Sequence, residues 1–486
     1  MSVPSLRIRL LNDHPVRPDG DYVLYWMIAS RRTTFNFALE RAVEHARTMG
    51  RPLLVFEPLR FDHPYASLRL HQFAMEGMRD NALALARHAL TYPYVEPAPG
   101  AAHGLLHALA GNACIVVTDD FPCYFLPHLV ARAAAKVQVA MEAVDGNGLV
   151  PCRAAPRAFP TAAGFRTFWQ RAYASLTAPF PTARPLDGLA PPPTHLGSLD
   201  AVERRWPPWR PSEMPTPPGL QPLGGPPPVP MRGGSVAAHT CVDTFIRTHL
   251  PEYEVNRDSP DADACSNLAA YLHWGHVSAH EVLASVLAAS GGHASLHWKG
   301  VGARRGFWGC GGSAEAFLDQ LVTWREVGFN MCSLEPRYDQ AASLPEWART
   351  TLELHRADPR PYRYDRDAFE EARTHDPLWN AAQRQLLEEG RIHNALRMLW
   401  GKKILEWSES PEEALRTMIA LNNTYALDGR DPNSYSGIFW CLGRYDRPWG
   451  PVRPIFGTVR YMSSTNTARK RAVKRYLARY GAPPPS

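Results

Sequence analysis

Over roughly its first 150 residues this 486-residue chain alternates short apolar runs with segments of helical period, and no other feature limits its fold as tightly. Tyr22-Val23-Leu24-Tyr25-Trp26-Met27, Pro52-Leu53-Leu54-Val55-Phe56, Cys114–Thr118 and Val137–Val144 read as strands, the first three being almost wholly apolar. Helical spacing fills about 34–49, 67–90 and 124–136. Residues 1–20 are polar and turn-rich, with Asn12-Asp13 and Pro18-Asp19-Gly20 as breakers. Strands alternating with helices predict a doubly wound parallel sheet. The sequence has neither a Gly-x-Gly-x-x-Gly turn nor a Walker-type loop, so an NAD or ATP site in this domain has no support.

From about 179 to 230 roughly a third of the residues are proline, which suits a semi-rigid wrap or linker. Beyond Gly233-Gly234 helical periods dominate, so the expected division is an α/β domain over 1–178, a linker over 179–234 and an all-α domain over 235–486. A net charge of +6 permits a nucleic-acid partner without proving one. The eight cysteines show no metal or Cys-x-x-Cys spacing and read as free thiols of a reducing cytoplasm. No membrane-length apolar run or signal-peptide pattern is present.

The segment Arg397–Trp449 is the richest in chemistry. Trp400 and Trp407 stand seven residues apart in a helical period and share a face. Ser410-Pro411-Glu412-Glu413 opens a second helix running to about Tyr425, with Pro at the first helical position and acids in the first turn. The turn Leu427-Asp428-Gly429-Arg430-Asp431-Pro432-Asn433 then sets charge between apolar runs. Tryptophans beside so polar a turn suit a large flat group with charged edges. Arg397, Trp379, Trp400 and Trp407, with Asp428 and Asp431, suggest an aromatic path for an electron, although each indole alone reads better as core. Trp324 and Gln320, on a helix expected over 317–329, can face one cavity. Small polar residues in Cys265-Ser266-Asn267-Leu268, downstream of Arg257, suit either a phosphate or a plain helix cap. His273, His276 and His280 fall at i, i+3 and i+7 on one expected helix face; without a suitably placed acid or thiolate they read as packing or surface groups, and no metal is assigned.

In several long stretches the sequence resembles the photolyase/cryptochrome superfamily, and within it the class II cyclobutane-pyrimidine-dimer photolyases. They include LNDHPVRPDGDYVLYWM (11–27), SNLAAYLHWGHVS (266–278), THDPLWN (374–380), RMLWGKKILEW (397–407), LDGRDPN (427–433) and RYM (460–462). The resemblance covers nearly the whole chain. It implies a helical domain holding one FAD and light-dependent repair of dimers in UV-damaged DNA by electron transfer from excited reduced FAD. It further implies that Tyr253 and Cys265, Ser266, Asn267, Leu268 and Ala269 contact the flavin's phosphates and ribose. Arg397 and Asp428 would pair beside its ring, with Asp431 in the same turn, and Asn422 would face N5. Trp400, Trp379 and Trp407 would relay electrons. Trp324 and Trp440 would pack on the extruded dimer with Gln320 close by, and Arg257, Asp258, Arg447 and Arg453 would lie on the DNA side.

The chain departs from that pattern at Gln320, where the family carries Glu; at Asp258, where it carries Asn; at Ala269 and Ala270, in place of Ser-Pro; and at Asn394, in place of Gly. A Gln amide donates to a thymine carbonyl but supplies no proton. The alternative reading is therefore a cryptochrome-like blue-light signalling flavoprotein. Repair of 6-4 photoproducts ranks last, because His393 has no second histidine beside it. The resemblance leaves open an antenna chromophore, a deazaflavin or a folate, in the N-terminal domain. The expected state is a cytoplasmic monomer.

Overall fold

A computed structural model describes residues 2–210, 224–293 and 300–481. They form two compact units: Met1–Pro156 with Tyr173–Val242 and Leu268–Ser285, and Arg157–Ala172 with Asp243–Asn267 and Val286–Ser486.

The first unit is the expected α/β fold. Its strands, β1 (Ile8–Leu10), β2 (Tyr22–Trp26), β3 (Leu53–Leu59), β4 (Leu90–Val95), β5 (Ala113–Asp119) and β6 (Met141–Val144), lie in the order β1-β6-β5-β2-β3-β4. Helices α1 (Phe37–Met49), α2 (Leu68–Leu85), α3 (Leu105–Gly111) and α4 (Leu126–Ala134) connect them. The ladders from β6 to β4 are parallel. Alternate residues of β2 enter separate cores: Tyr22, Leu24 and Trp26 on one face, Val23 and Tyr25 on the other. That two-sided burial explains the apolar runs. Two edge strands depart from the expectation. β1 arises in the polar stretch 1–20 and pairs antiparallel with β6, while β4 begins where the helix read over 67–90 has already ended at Leu85.

At the carboxyl end of β5, Asp119 Oδ2 accepts from the backbone N–H groups of Ile28, Ala29 and Ser30 at 2.8, 2.7 and 3.0 Å. Its Oδ1 accepts from the Tyr25 hydroxyl at 2.9 Å.

The three histidines do not share a helix. Gly275, at φ 73°, ends the helix Ala269–Trp274, and the next helix begins at Ala279. Buried His276 accepts from the Gly234 N–H at 2.9 Å through Nδ1, and His280 packs edge-on against Phe37 and Phe180. In the proline-rich stretch a short helix forms at Asp200–Arg205, and 211–223 lies outside the described residues.

The second unit is helical; among the described residues its only β pairing is an isolated bridge between Arg453 and Gly457. Pro377–Glu389, Asn394–Trp407, Pro411–Tyr425 and Pro432–Cys441 follow one another, three of them opened by proline at the start of the first turn. Asp376, Ser410 and Asp431 cap them, accepting from N–H groups of the first turn as their residue types predict. Gly312–Leu334 forms a continuous helical run with π-helical winding at Asp319–Trp324. No described helix is long and apolar enough to cross a membrane.

Candidate functional site

Within the second unit, Arg397 donates to both carboxylate oxygens of Asp428 at 3.0 and 3.1 Å. Burial works against the Arg397 charge, yet Asp428 prevails and holds the guanidinium above its ordinary range. The turn that delivers Asp428 is tight: a Cβ on Gly429 would lie 2.7 Å from the Asn422 carbonyl oxygen. Asn422, 5 % exposed, donates from Nδ2 to Ser434 Oγ at 2.8 Å and to Asn423 Oδ1 at 3.3 Å. These bonds fix the amide with Oδ1 uncommitted to any described residue, so it can accept a further N–H. Asp431 spends its carboxylate on the cap at Asn433 N.

The three indoles expected to relay electrons lie close together and are all buried. Trp379 Nε1 donates to the Trp400 carbonyl at 3.0 Å, and its ring stands 6.0 Å from that of Trp407. Trp400 Nε1 donates to Gln383 Oε1 at 2.9 Å. Trp407 is itself 2 % exposed and is flanked by further rings. Tyr364 stands 5.7 Å from Trp407, its hydroxyl 2.8 Å from His375 Nδ1, and Tyr362, 48 % exposed, stacks on His375. No periodicity or cap in 356–376 singles out these three residues in the sequence.

Asp319 and Thr323 hold the π-helical segment to the helix Ala162–Arg171. Arg166 donates to both Asp319 oxygens at 2.7 and 3.0 Å, and Trp169 Nε1 to Thr323 Oγ1 at 3.2 Å. Gln320 and Trp324 follow those two residues directly in the same π-helical segment. The Trp324 ring lies flat on Trp440, with centroids 4.6 Å apart at 12°.

Among the expected DNA-side residues, Arg257 lies 5.9 Å above the Tyr253 ring. Burial raises the Tyr253 hydroxyl to about 12. Asp258 is not a bare negative charge: Arg471 donates to its carbonyl at 2.7 Å and lies 3.1 Å from its carboxylate. Arg447 stacks over Trp449 at 4.4 Å and Arg453 over Tyr461 at 5.0 Å. Arg460, part of the RYM stretch but given no role from the sequence, lies 5.1 Å above Trp449.

Cys265, Ser266 and Asn267 belong to this unit, whereas Leu268 and Ala269 belong to the first. Asn267 adopts φ 57°, a left-handed conformation that Asn tolerates better than most residues. Ligand atoms of Asp263, Cys265 and His393 lie within 4.8 Å of one another. Both Asp263 oxygens accept from Arg391 at 3.0 Å, and His393 Nδ1 accepts from the Ala395 N–H as a helix cap at 3.3 Å. Burial pushes the Cys265 thiol up to about 11. This arrangement is that of an ion pair and a cap.

Burial lowers buried His393 to about 4 and His276, in the other unit, to about 3. Both stay neutral in the fold while the unfolded chain takes up protons below its ordinary value of 6.5. Their contribution is complete above pH 6.5 and is lost as pH falls toward 4. Each unit is expected to lose about 1.4 kcal/mol per pH unit across that window from its histidine. Urea unfolding at several pH values checks this, and His393→Asn, which keeps a cap, should flatten the response of the second unit.

A scan against protein-family models finds no match. A deoxyribodipyrimidine photo-lyase of Methanothermobacter thermautotrophicus is 34% identical over 478 residues, 97% of each chain. That of Oryza sativa subsp. japonica is 32% identical over 97% of this chain and 90% of its own. The solved structure of a Synechocystis cryptochrome superposes with a TM-score of 0.67 at 14% identity, covering 94% of this chain and 88% of its own, and so shares the fold. The likeness to the two lyases spans nearly the whole of each chain, and this chain belongs to the deoxyribodipyrimidine photo-lyase family.

Proposed function

We propose that the protein is a light-driven, FAD-dependent lyase of the class II kind that reverts cyclobutane pyrimidine dimers in DNA. The observation that carries this reading is the pairing of Arg397 with Asp428, together with a rigidly held Asn422 whose Oδ1 has no described partner. These groups fit a flavin ring: a carbonyl oxygen to accept from N5–H, and an ion pair whose guanidinium supplies positive charge beside the ring. Arg397, Asn422 and Asp428 would hold the ring, with Asp431 fixing the turn. Tyr253 and residues 265–269 would hold the phosphates and ribose. The division into an α/β domain, a linker and a helical domain belongs to this reading. When bound, reduced FAD supplies the photoexcited electron that opens the cyclobutane ring.

The protein's own residues bind and orient. A dimer pairs poorly, so its extrusion costs a few kcal/mol. Trp324 and Trp440 offer flat apolar faces in place of the lost base stacking, at roughly 1–3 kcal/mol per base. Gln320 donates an amide N–H to a pyrimidine carbonyl. Arg257, Arg447 and Arg453 would meet DNA phosphates, while Arg471 offsets the charge of Asp258. Trp400, Trp379 and Trp407 would carry electrons inward to reduce oxidised FAD.

The test is illumination of the reduced, flavin-loaded protein with dimer-containing oligonucleotide. Restored thymines are expected; their absence with flavin bound overturns the reading. Gln320 favours the second reading, cryptochrome-like signalling, since it has no proton to give the dimer. Loss of dimer-specific DNA affinity would support that reading. Gln320→Glu is expected to raise the repair yield per absorbed photon, and an unchanged or lower yield would count against the role of position 320.

A further inference from the structure

We infer that Trp324 and Trp440 close the dimer pocket on themselves when no lesion is present, so that an arriving dimer must replace an indole–indole contact. This rests on the reading above that the dimer is the substrate. The closed pair follows from the way two helices meet. Gly328 on Arg325–Leu334 lets Pro432–Cys441 approach so nearly that a Cβ there would lie 2.8 Å from the Pro432 carbonyl oxygen and 2.9 Å from Ser436 Oγ. Trp324 stands four residues before Gly328 and Trp440 four residues after Ser436, so each occupies the face of its helix that meets the other. The crossing is pinned: Ser436 Oγ and the Tyr445 hydroxyl lie 3.1 Å apart, and that hydroxyl donates to the Val327 carbonyl at 3.4 Å. Asp319 and Thr323 anchor the turn that carries Trp324, through Arg166 and Trp169.

With both backbones held, the rings meet at 4.6 Å and 12°. A base slipped between two stacked rings needs about twice the 3.4 Å base rise, ~7 Å. The observed spacing admits none. The pair therefore parts by rotation of at least one indole about its side-chain torsions, without separation of the helices. Parting loses one ring contact; the dimer offers two pyrimidine rings in exchange, each able to pack against an indole face. An intact base pair must in addition give up its pairing and stacking before it reaches the indoles. The lesion is thus the occupant best able to open the pocket.

Two face-to-face indoles give an exciton couplet in far-ultraviolet circular dichroism, isolated here as the difference between the flavin-loaded wild type and Trp324→Phe. Trp440→Phe should remove the same couplet, which identifies the partner. We expect it in the free protein, unchanged by undamaged duplex, and reduced roughly tenfold when dimer-containing duplex is bound to saturation in the dark. Binding is followed by fluorescence anisotropy on the same samples. No couplet in the free protein, or a full couplet with dimer duplex bound, overturns the inference. A couplet without dimer-specific binding overturns the assigned substrate, and with it opening by the dimer, while leaving the closed pair in place.

Discussion

Asp428→Asn is expected to cost about 3 kcal/mol of stability and to abolish flavin retention. The variant leaves the Arg397 guanidinium largely buried without its carboxylate, and breaking one side of a buried pair costs roughly 3–5 kcal/mol. The lower end applies because about a fifth of the Arg397 side chain remains accessible. Urea titration reads the first effect and flavin absorbance after reconstitution and desalting the second. The double variant Arg397→Met, Asp428→Leu separates them. Apolar replacement of a whole buried pair is often neutral or stabilising, so stability should return while flavin retention does not. A double variant that regains both would remove the pair from the cofactor site. Full flavin retention in Asp428→Asn alone would do the same.

Trp379→Phe should reduce photoreduction of the oxidised flavin to the level of free flavin, while repair by chemically reduced enzyme persists. The residue occupies the middle of the indole series, bonded to the Trp400 carbonyl and 6.0 Å from Trp407. Phe preserves an aromatic ring but is much harder to oxidise than indole. The lost hydrogen bond and smaller ring should cost about 1–3 kcal/mol. Absorbance under blue light with an external reductant follows the first property, and dimer reversal after dithionite reduction the second. Undiminished photoreduction would place the electron route elsewhere. Loss of repair in the chemically reduced variant would mean that the substitution damages the pocket itself.

How far the sequence reveals such a molecule depends on whether a feature is set locally. β2, β3 and β5 are legible because a strand buried on both faces is mostly apolar, its few polar residues lying toward the carboxyl end. β4 is hidden by Pro93, which argues against a central strand and is tolerated on an edge, where β4 lies. β1 is only three residues long within polar surroundings. The histidine spacing misleads because Gly275 interrupts the count with a left-handed turn. Ser410 and Asp431 act as caps where their residue types predict, since a cap is decided within one turn. The Arg397–Asp428 pair was expected from resemblance, and the structure supplies its two-bonded geometry. The compensation of Asp258 by Arg471 joins residues 213 apart in the chain, and no local pattern announces it. Tyr364 and His375 are likewise ordered by packing around Trp407 rather than by any period of their own.

In doubly wound sheets the crevice beyond the strand ends, where strand order reverses, is the customary berth for a nucleotide. Here β5 and β2 flank that reversal, and the three amides that could grip a phosphate oxygen already grip Asp119. The chain carries a tethered anion in its own berth. A tethered group competes at high effective concentration, so a free phosphate must displace a rival that cannot diffuse away. A chromophore lodging at this end of the sheet would be better served by flat, neutral surfaces than by phosphoryl groups. In this fold the cradle has become a keystone.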